Sequence, residues 1–138
     1  MTYLLDTSAL LAHYRGEVGA ERVQEIFADD EAGILIATVS IPELARRLSE
    51  LGMDDAEIHR VTSAYLQLAA EAVPIDLTVA EASYDLIRQM TERLPLIDAL
   101  IAAAARVKQA RLVHRDAHMR AIPTAMLEQL DLENPTSS

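Results

Sequence analysis

The sequence lacks cysteine and tryptophan, and only 4% of its 138 residues are aromatic. Without cysteine the chain has no disulfide framework, no thiolate zinc site and no cysteine nucleophile, which is consistent with a reducing compartment. With so few aromatic rings, we expect no surface that binds nucleic acid by stacking its bases. The core must come mainly from Leu, Ile, Val and Ala, and a hydrophobic content of 51% argues against disorder.

Long apolar runs are also missing from the sequence. No run reaches the length of a membrane span. No basic region precedes the apolar stretch near the N-terminus, as it would in a signal peptide. We therefore expect a cytoplasmic protein without a membrane partner. A chain of 138 residues is a normal size for one domain with a real core.

Positive charge is scarce, since the formal net charge is −10 and Lys108 is the only lysine beside the arginines. This balance argues against non-specific binding of nucleic acid, which usually needs a basic surface. It favours metal cations or a basic partner protein. The arginines suit bidentate contact with phosphate or carboxylate.

Strands and helices are predicted to alternate along the chain. Apolar runs predict strands at residues 3–5, 34–37, 73–75 and 111–114. Helical spacing predicts helices at residues 7–14, 21–28, 40–51, 55–72, 78–93 and 96–108, with a short turn at 117–121. Residues 126–132 fit either a final helix or a last edge strand with its leucines inward. The alternation predicts one α/β domain over residues 1–133, with a mainly parallel sheet, and a frayed tail over 134–138.

Two helix starts carry the signal of a capping box. Ser40 and Glu43 have the required spacing, with Pro42 in the first turn, and Thr78 and Glu81 repeat the pattern. Since Glu81 follows a strand marked as an edge by its proline, we assign it a structural role.

Four acids stand out by their position: Asp6, Glu43, Asp98 and Asp116. Asp6 and Asp116 follow predicted strands, whereas Glu43 and Asp98 lie in the first turns of helices. The carboxyl ends of parallel strands and the helices that follow them share one rim of the sheet, where open α/β sheets bind ligands. This brings Asp6, Glu43 and Asp116 together, and Asp98 joins them if its helix starts at that rim. Each acid alone is explained as well by a helix cap or a turn, but four such caps on one rim is the weaker account.

A group of ionised carboxylates repels itself and raises its pKa values, and a hard divalent cation removes that cost. Mg²⁺ takes oxygen ligands and needs only a few protein carboxylates. The four acids therefore predict a metal site that activates water and offsets charge on a phosphate.

The ordered motifs resemble those of a known family. They are Leu5-Asp6-Thr7-Ser8-Ala9-Leu10, Pro42-Glu43-Leu44, Asp98-Ala99-Leu100-Ile101-Ala102-Ala103-Ala104-Ala105 and Arg115-Asp116-Ala117-His118-Met119. The set, which spans nearly the whole chain, resembles PIN-domain ribonucleases, and more narrowly the VapC-type toxins of toxin–antitoxin pairs.

The resemblance implies a PIN-like three-layer domain with a central sheet of four or five strands flanked by helices. It implies hydrolysis of RNA phosphodiester bonds with Mg²⁺ or Mn²⁺, at the family's acidic positions Asp6, Glu43, Asp98 and Asp116. It also implies a homodimer and inhibition by a cognate VapB-type antitoxin.

Supporting roles around the acids are less defined. Thr7 and Ser8 either hydrogen-bond a carboxylate or metal-bound water, or are simply first-turn residues. Arg46, Arg47, Arg115 and Arg120 either line a phosphate path or form ordinary surface ion pairs.

Two positions depart from the family pattern. His114 stands where the family usually has Thr or Ser, and His118 where many members have a further acid. The second departure leaves open whether one or two metal ions bind. We assign neither histidine as a metal ligand.

A different class of function also fits the sequence. The chain could keep this fold as a catalytically weak binding module that regulates through a partner. An aspartyl phosphotransfer enzyme fits poorly, because Ser8 stands where a second acid is needed and Lys108 is the sole candidate lysine.

Overall fold

A parallel β-sheet forms the centre of the molecule. The computed structural model describes residues 1–134, and within them the sheet has five strands. These are β1 (Thr2–Leu5), β2 (Gly33–Ala37), β3 (Glu71–Val73), β4 (Arg111–His114) and β5 (Gln129–Asp131). The strand order is β3-β2-β1-β4-β5, and all neighbouring pairs are parallel. All carboxyl ends of the strands therefore lie at one edge.

Helices cover both faces of this sheet. Within residues 1–134 they are α1 (Thr7–Arg15), α2 (Ala20–Ala28), α3 (Ser40–Glu50), α4 (Asp55–Leu68), α5 (Leu77–Gln89), α6 (Leu96–Val107) and α7 (Ala117–Arg120). None of them has both the length and the apolar content needed to cross a membrane.

The central strand β1 contributes to a core on each face. Leu4 and Leu5 are both fully buried, and as neighbours in a strand they point to opposite sides. Leu4 belongs to the core that includes α5 and α6, whereas Leu5 belongs to the core that includes α1, α2 and α3. A strand buried on both faces needs a continuous apolar run, which β1 has. The result is a three-layer domain.

The alanines of α6 let this helix pack closely within the first core. Ala99 and residues 102–105 are all fully buried. Small side chains permit a short approach between a helix and its neighbours without leaving cavities. Because α6 leads directly into the start of β4, its first turn lies at the carboxyl edge of the sheet.

Most elements predicted from the sequence are confirmed, including the strands at 34–37 and 111–114 and the alternation of strands and helices. The ambiguous segment at 126–132 contains the parallel edge strand β5 and no helix, and its leucines are buried: Leu127, Leu130 and Leu132. Asn134 donates its backbone N–H to the Asp131 carbonyl at 3.0 Å. The rest of the predicted tail, 135–138, lies outside the described residues.

Several predicted boundaries were wrong. The third strand spans Glu71–Val73 rather than 73–75, because Pro74 cannot continue the ladder. The helices α4 and α5 end at Leu68 and Gln89, a few residues before the ends that apolar spacing predicts.

Both predicted capping boxes were also wrong. Ser40 already lies inside α3, whose N-cap Val39 makes no side-chain capping bond. The N-cap of α5 is Asp76, which accepts from the Val79 N–H at 3.0 Å, so Thr78 is an ordinary first-turn residue. A capping box does form at α4, between Asp54 and Glu57. Short polar residues compete for each cap, and tertiary packing decides which one is used.

Gly19, the N-cap of α2, tests how the last part of the described chain packs. Its φ is +94°, and a Cβ there would lie 2.6 Å from the Cβ of Leu132. We expect Gly19→Ala to lower the free energy of unfolding by about 2–4 kcal/mol, through backbone strain and the clash together.

The matched control is Gly52→Ala. Its φ is +90°, and no atom of the described residues lies within 4 Å of the added Cβ. Only the strain, about 1–2 kcal/mol, should remain. Equal losses for both variants in urea titrations would show that contact with Leu132 adds nothing.

Candidate active site

Asp6 joins the end of β1 to the start of α1. Its Oδ2 accepts hydrogen bonds from the Ser8 N–H at 3.2 Å and the Ser8 hydroxyl at 2.5 Å, which makes it the N-cap of α1. The residue is only 2% exposed. Its other carboxyl oxygen, Oδ1, is buried and has no hydrogen-bond partner among residues 1–134. Asp6 is thus a helix cap with one oxygen left over.

Ser8 connects two strand ends at the rim. Its hydroxyl donates to Asp6 and accepts from the backbone N–H of Arg115 at 2.9 Å. The backbone N–H of Asp6 in turn donates to the Val113 carbonyl at 2.9 Å. These bonds hold the β1–α1 corner against the β4–α7 corner, so the positions of Asp6 and Asp116 depend on each other.

Glu43 extends across to α1 instead of closing a capping box in α3. Its Oε1 accepts from the Thr7 hydroxyl at 2.5 Å. Thr7 is 5% exposed, so this bond is partly shielded from water. The bond orients the Glu43 carboxylate toward the end of β1.

Asp98 and Asp116 approach from the other side. Asp98 lies in the first turn of α6 and is 9% exposed. Asp116 is the N-cap of α7 and accepts from the backbone N–H of His118 at 2.7 Å. Like Asp6, it combines a capping role with a place at the rim.

All four acids predicted from the sequence line one pocket. Thr7, Ser8, Leu11 and Arg47 complete its wall. The pocket has a volume of about 60 Å³, which gives room for an ion and a few waters but not for a nucleotide. The exposed residue Glu81 is not among the lining residues.

Burial and mutual repulsion disfavour charge at this site. Burial, followed by the nearby charges of Asp98 and Asp116, raises the pKa of Asp6 from 3.8 to about 7, against the opposing effect of its Ser8 hydrogen bonds. Burial also raises the pKa of Asp98 to about 6, with repulsion from Asp116 and Glu43 adding to it. A divalent cation would relieve both effects.

The donor set fits such a cation. One oxygen each of Asp98 and Asp116 and a ring nitrogen of His118 lie within 4.8 Å of one another. Asp6, which lines the same pocket, has a further carboxylate oxygen, Oδ1, without a hydrogen-bond partner among the described residues. Carboxylate oxygens are the ligands that Mg²⁺ and Mn²⁺ prefer.

His114 is buried and uses both ring nitrogens in hydrogen bonds. Its Nδ1 accepts from the Asp116 backbone N–H at 3.2 Å, so Nε2 carries the proton and donates to the Gln129 Oε1 at 2.8 Å. Gln129 is held in turn by the Ile122 carbonyl at 2.7 Å. Burial lowers the pKa of His114, which favours this neutral form. The imidazole thus fixes the backbone of Asp116.

The arginines considered for a phosphate path have different surroundings. Arg47 lines the acidic pocket and also a neighbouring groove of about 350 Å³, where Arg15 and Arg115 lie. Arg115 is paired with Glu133 at 2.6 Å and Glu17 at 3.4 Å. Arg46 borders a separate apolar groove beside Glu43.

Arg120 does not line the groove that contains Arg15, Arg47 and Arg115. It makes two hydrogen bonds to Asp131, at 2.5 and 3.1 Å, which tie α7 to β5. These bonds lower the pKa of Asp131. The arrangement commits the Arg120 guanidinium to a structural ion pair.

Sequence reasoning missed two features of the site. It did not connect His114 with Gln129, because their pairing depends on β5, and the sequence of that segment fits a helix as well as a strand. It also did not place His118 beside Asp98, which lies far away along the chain. For His118 the two-residue spacing from Asp116 was an available signal.

The fold and the rim of acids define a class: a parallel α/β domain with a carboxylate-lined pocket at the carboxyl edge of its sheet. The family model of the PIN domain matches residues 3–124. The chain therefore belongs to the PIN-domain family.

Solved structures share this fold at low sequence identity. VapBC2 from Rickettsia felis, bound to a promoter DNA fragment, matches with a TM-score of 0.73 and 20% identity over 95% of this chain and 100% of that one. VapBC-1 from nontypeable Haemophilus influenzae matches with a TM-score of 0.72 and 16% identity, over 96% of this chain and 99% of that one. Mycobacterium tuberculosis VapC20, a toxin that cleaves the sarcin-ricin loop, matches with a TM-score of 0.67 and 15% identity, over 86% of this chain and 93% of that one. No curated protein sequence matches significantly.

The raised pKa of Asp6 predicts an unusual pH dependence of stability. The folded protein keeps this proton up to about pH 7, whereas the unfolded chain loses it near 3.8. The stability that this proton contributes to the metal-free protein should therefore fall progressively as the pH rises from about 4 to about 7, and level off above that. Asp6→Asn keeps the capping oxygen but carries no charge. We expect it to be on the order of 1–3 kcal/mol more stable than wild type at about pH 8.

Urea titrations in EDTA between about pH 5 and 8 measure this difference. Glu81→Gln removes an exposed carboxylate and should leave the pH profile unchanged. Parallel profiles for wild type and Asp6→Asn would show that Asp6 ionises normally in the folded protein.

Proposed function

We propose that this protein is a metal-dependent endoribonuclease, the VapC-type toxin of a VapBC toxin–antitoxin system. The observation that carries the proposal is the convergence of four acids in one pocket of a PIN domain. One of them, Asp6, has a buried oxygen without a partner among the described residues. Folding such a pocket is costly unless it serves a cation.

Asp6, Glu43, Asp98 and Asp116 would hold Mg²⁺ or Mn²⁺. A bound ion supplies a lowered pKa for attacking water and offsets negative charge on the phosphate. The residues around the acids orient them. The Ser8 hydroxyl donates a hydrogen bond to Asp6 Oδ2, so Oδ1 stays without a partner among the described residues. The Thr7 hydroxyl donates to one oxygen of Glu43. Such fixed orientation reduces the rearrangement needed during reaction.

The groove beside the pocket is the best path for the RNA backbone. Arg15, Arg47 and Arg115 line it, and it shares Ser8, Leu11 and Asp116 with the pocket. Glu17 and Glu133 offset part of this positive charge. With a net charge of −10 the protein has little general attraction for RNA. Recognition must then depend on these few arginines and on the ion.

The proposed partner is a VapB-type antitoxin. The similar structures from R. felis and H. influenzae are VapBC structures, and the acidic charge of this chain suits a basic antitoxin segment. A homodimer is also proposed, because α5 and α6 expose apolar side chains that a second copy would cover: Leu77, Tyr84 and Leu96. Such a toxin would act on RNA in the cytoplasm.

RNA cleavage by pure protein tests the proposed activity. Asp6→Asn and Asp98→Asn should each lower the rate of metal-dependent cleavage by at least about 100-fold, because each removes a charged ligand. Both variants should retain the wild-type circular dichroism spectrum. Glu81→Gln, with the same loss of charge at an exposed site, should cleave normally.

Cleavage that persists in both Asp variants would point to a contaminant. Absence of cleavage by wild type on total RNA, with every divalent ion tried, would favour the binding module that acts through its partner.

The antitoxin proposal predicts a specific contact. In a complex with the product of an adjacent small reading frame, an antitoxin arginine should approach the four carboxylates to within about 4 Å. A structure of the complex measures this distance. A complex with no basic group within several Å of the pocket would contradict the proposed mode of inhibition.

A further inference from the structure

His118 lies beside two of the acids that line the acidic pocket. It occupies α7, two residues after Asp116, and its side chain is 57% exposed. Its Nδ1 lies 3.3 Å from Asp116 Oδ1 and 3.5 Å from Asp98 Oδ2. The ring nitrogen thus faces two of the four carboxylates, which come from separate helices.

These separations suit ligands of one ion. Neighbouring ligands of an octahedral ion with bonds of 2.0–2.2 Å lie about 3 Å apart. Three atoms, one each from Asp98, Asp116 and His118, all fall within 4.8 Å of one another. The observed distances between the nitrogen and the two oxygens are a few tenths of an ångström longer than that value. A small adjustment of the exposed His118 side chain would close the difference.

A second feature of this pocket is a buried carboxyl oxygen that would gain from a nearby positive charge. Asp6 Oδ1 is buried and has no hydrogen-bond partner among residues 1–134, and Asp6 lines the same pocket as Asp98 and Asp116. No guanidinium fills the gap: Arg47 is paired with Glu50 at 3.6 Å, and Arg115 is paired with Glu17 and Glu133. A bound cation would supply that charge.

We propose that His118 Nδ1 is a metal ligand together with Asp98 and Asp116, and that this nitrogen makes the site prefer Mn²⁺ to Mg²⁺. The inference rests on the proposed metal-dependent function and adds the ligand that selects the ion. Both ions take carboxylate oxygens, but Mg²⁺ binds almost only oxygen, whereas Mn²⁺ is a transition metal and accepts an imidazole nitrogen beside those oxygens more readily. A ring nitrogen among carboxylates thus favours the transition metal.

Calorimetric titration of the metal-free protein with MnCl₂ and with MgCl₂ tests the preference without RNA. Wild type should bind Mn²⁺ at least about 10-fold more tightly than Mg²⁺. His118→Ala should weaken Mn²⁺ binding by about 10-fold or more while changing Mg²⁺ binding about 2-fold at most. His118→Asp offers a carboxylate oxygen in place of the nitrogen. It should strengthen Mg²⁺ binding and so reduce the difference between the Mn²⁺ and Mg²⁺ affinities. His59→Ala removes an exposed histidine of α4 as the matched control.

Pulsed electron paramagnetic resonance of the Mn²⁺ complex gives a direct signature. Wild type and His59→Ala should show modulation from a coordinated nitrogen, and His118→Ala should lose it. Unchanged Mn²⁺ affinity and nitrogen modulation in His118→Ala would overturn this proposal. If Asp98→Asn still abolished metal binding in that case, the proposed function would stand. If wild type bound neither ion, both proposals would fail.

Discussion

The burial of Asp6 with one oxygen unpaired is the constraint on which the site depends. A carboxylate without a partner in a low-dielectric environment is costly, and here three further acids are brought beside it. The raised pKa values of Asp6 and Asp98 express that cost. The rest of the domain compensates with two well-packed cores and a fully parallel sheet, which hold the strand ends in place. We infer that binding of a cation relieves the free-energy cost of these buried carboxylates.

At the rim, the same residues that form the local fold also line the pocket. Asp6 and Asp116 each cap a helix with one set of bonds and face the pocket as well. Ser8 links the corners that contain them, and the His114 imidazole fixes the Asp116 backbone from below. Because Asp6 and Asp116 are held by bonds that also form the fold, a change in packing at β4 or β5 would be transmitted to the pocket.

Much of the fold was predictable because the hydrophobic pattern is strong. The continuous apolar run of β1 and the alanines of α6 leave few alternatives. The rule that parallel strand ends share a rim predicts the convergence of Asp6, Glu43 and Asp116. Asp98 depends on where its helix starts, and all four acids line one pocket. The helix N-caps were not predictable, because Ser40, Asp76 and Thr78 have similar capping propensities and tertiary packing decides which of them caps a helix. The contacts of His118 and of Arg120 with Asp131 depend on where α7 and β5 lie, which sequence spacing does not define.

The central claim, that the pocket is a divalent-cation site, is tested most directly by proton release on metal binding. At about pH 6.5 the free protein should hold a proton on Asp6, whose pKa is raised to about 7. Binding of Mn²⁺ or Mg²⁺ should then displace about one proton per ion. Calorimetry in buffers of different ionisation enthalpy measures this number. Release of about one proton that falls toward zero at about pH 8.5, where Asp6 is already ionised, is the predicted result, and metal binding without proton release at about pH 6.5 would contradict the account.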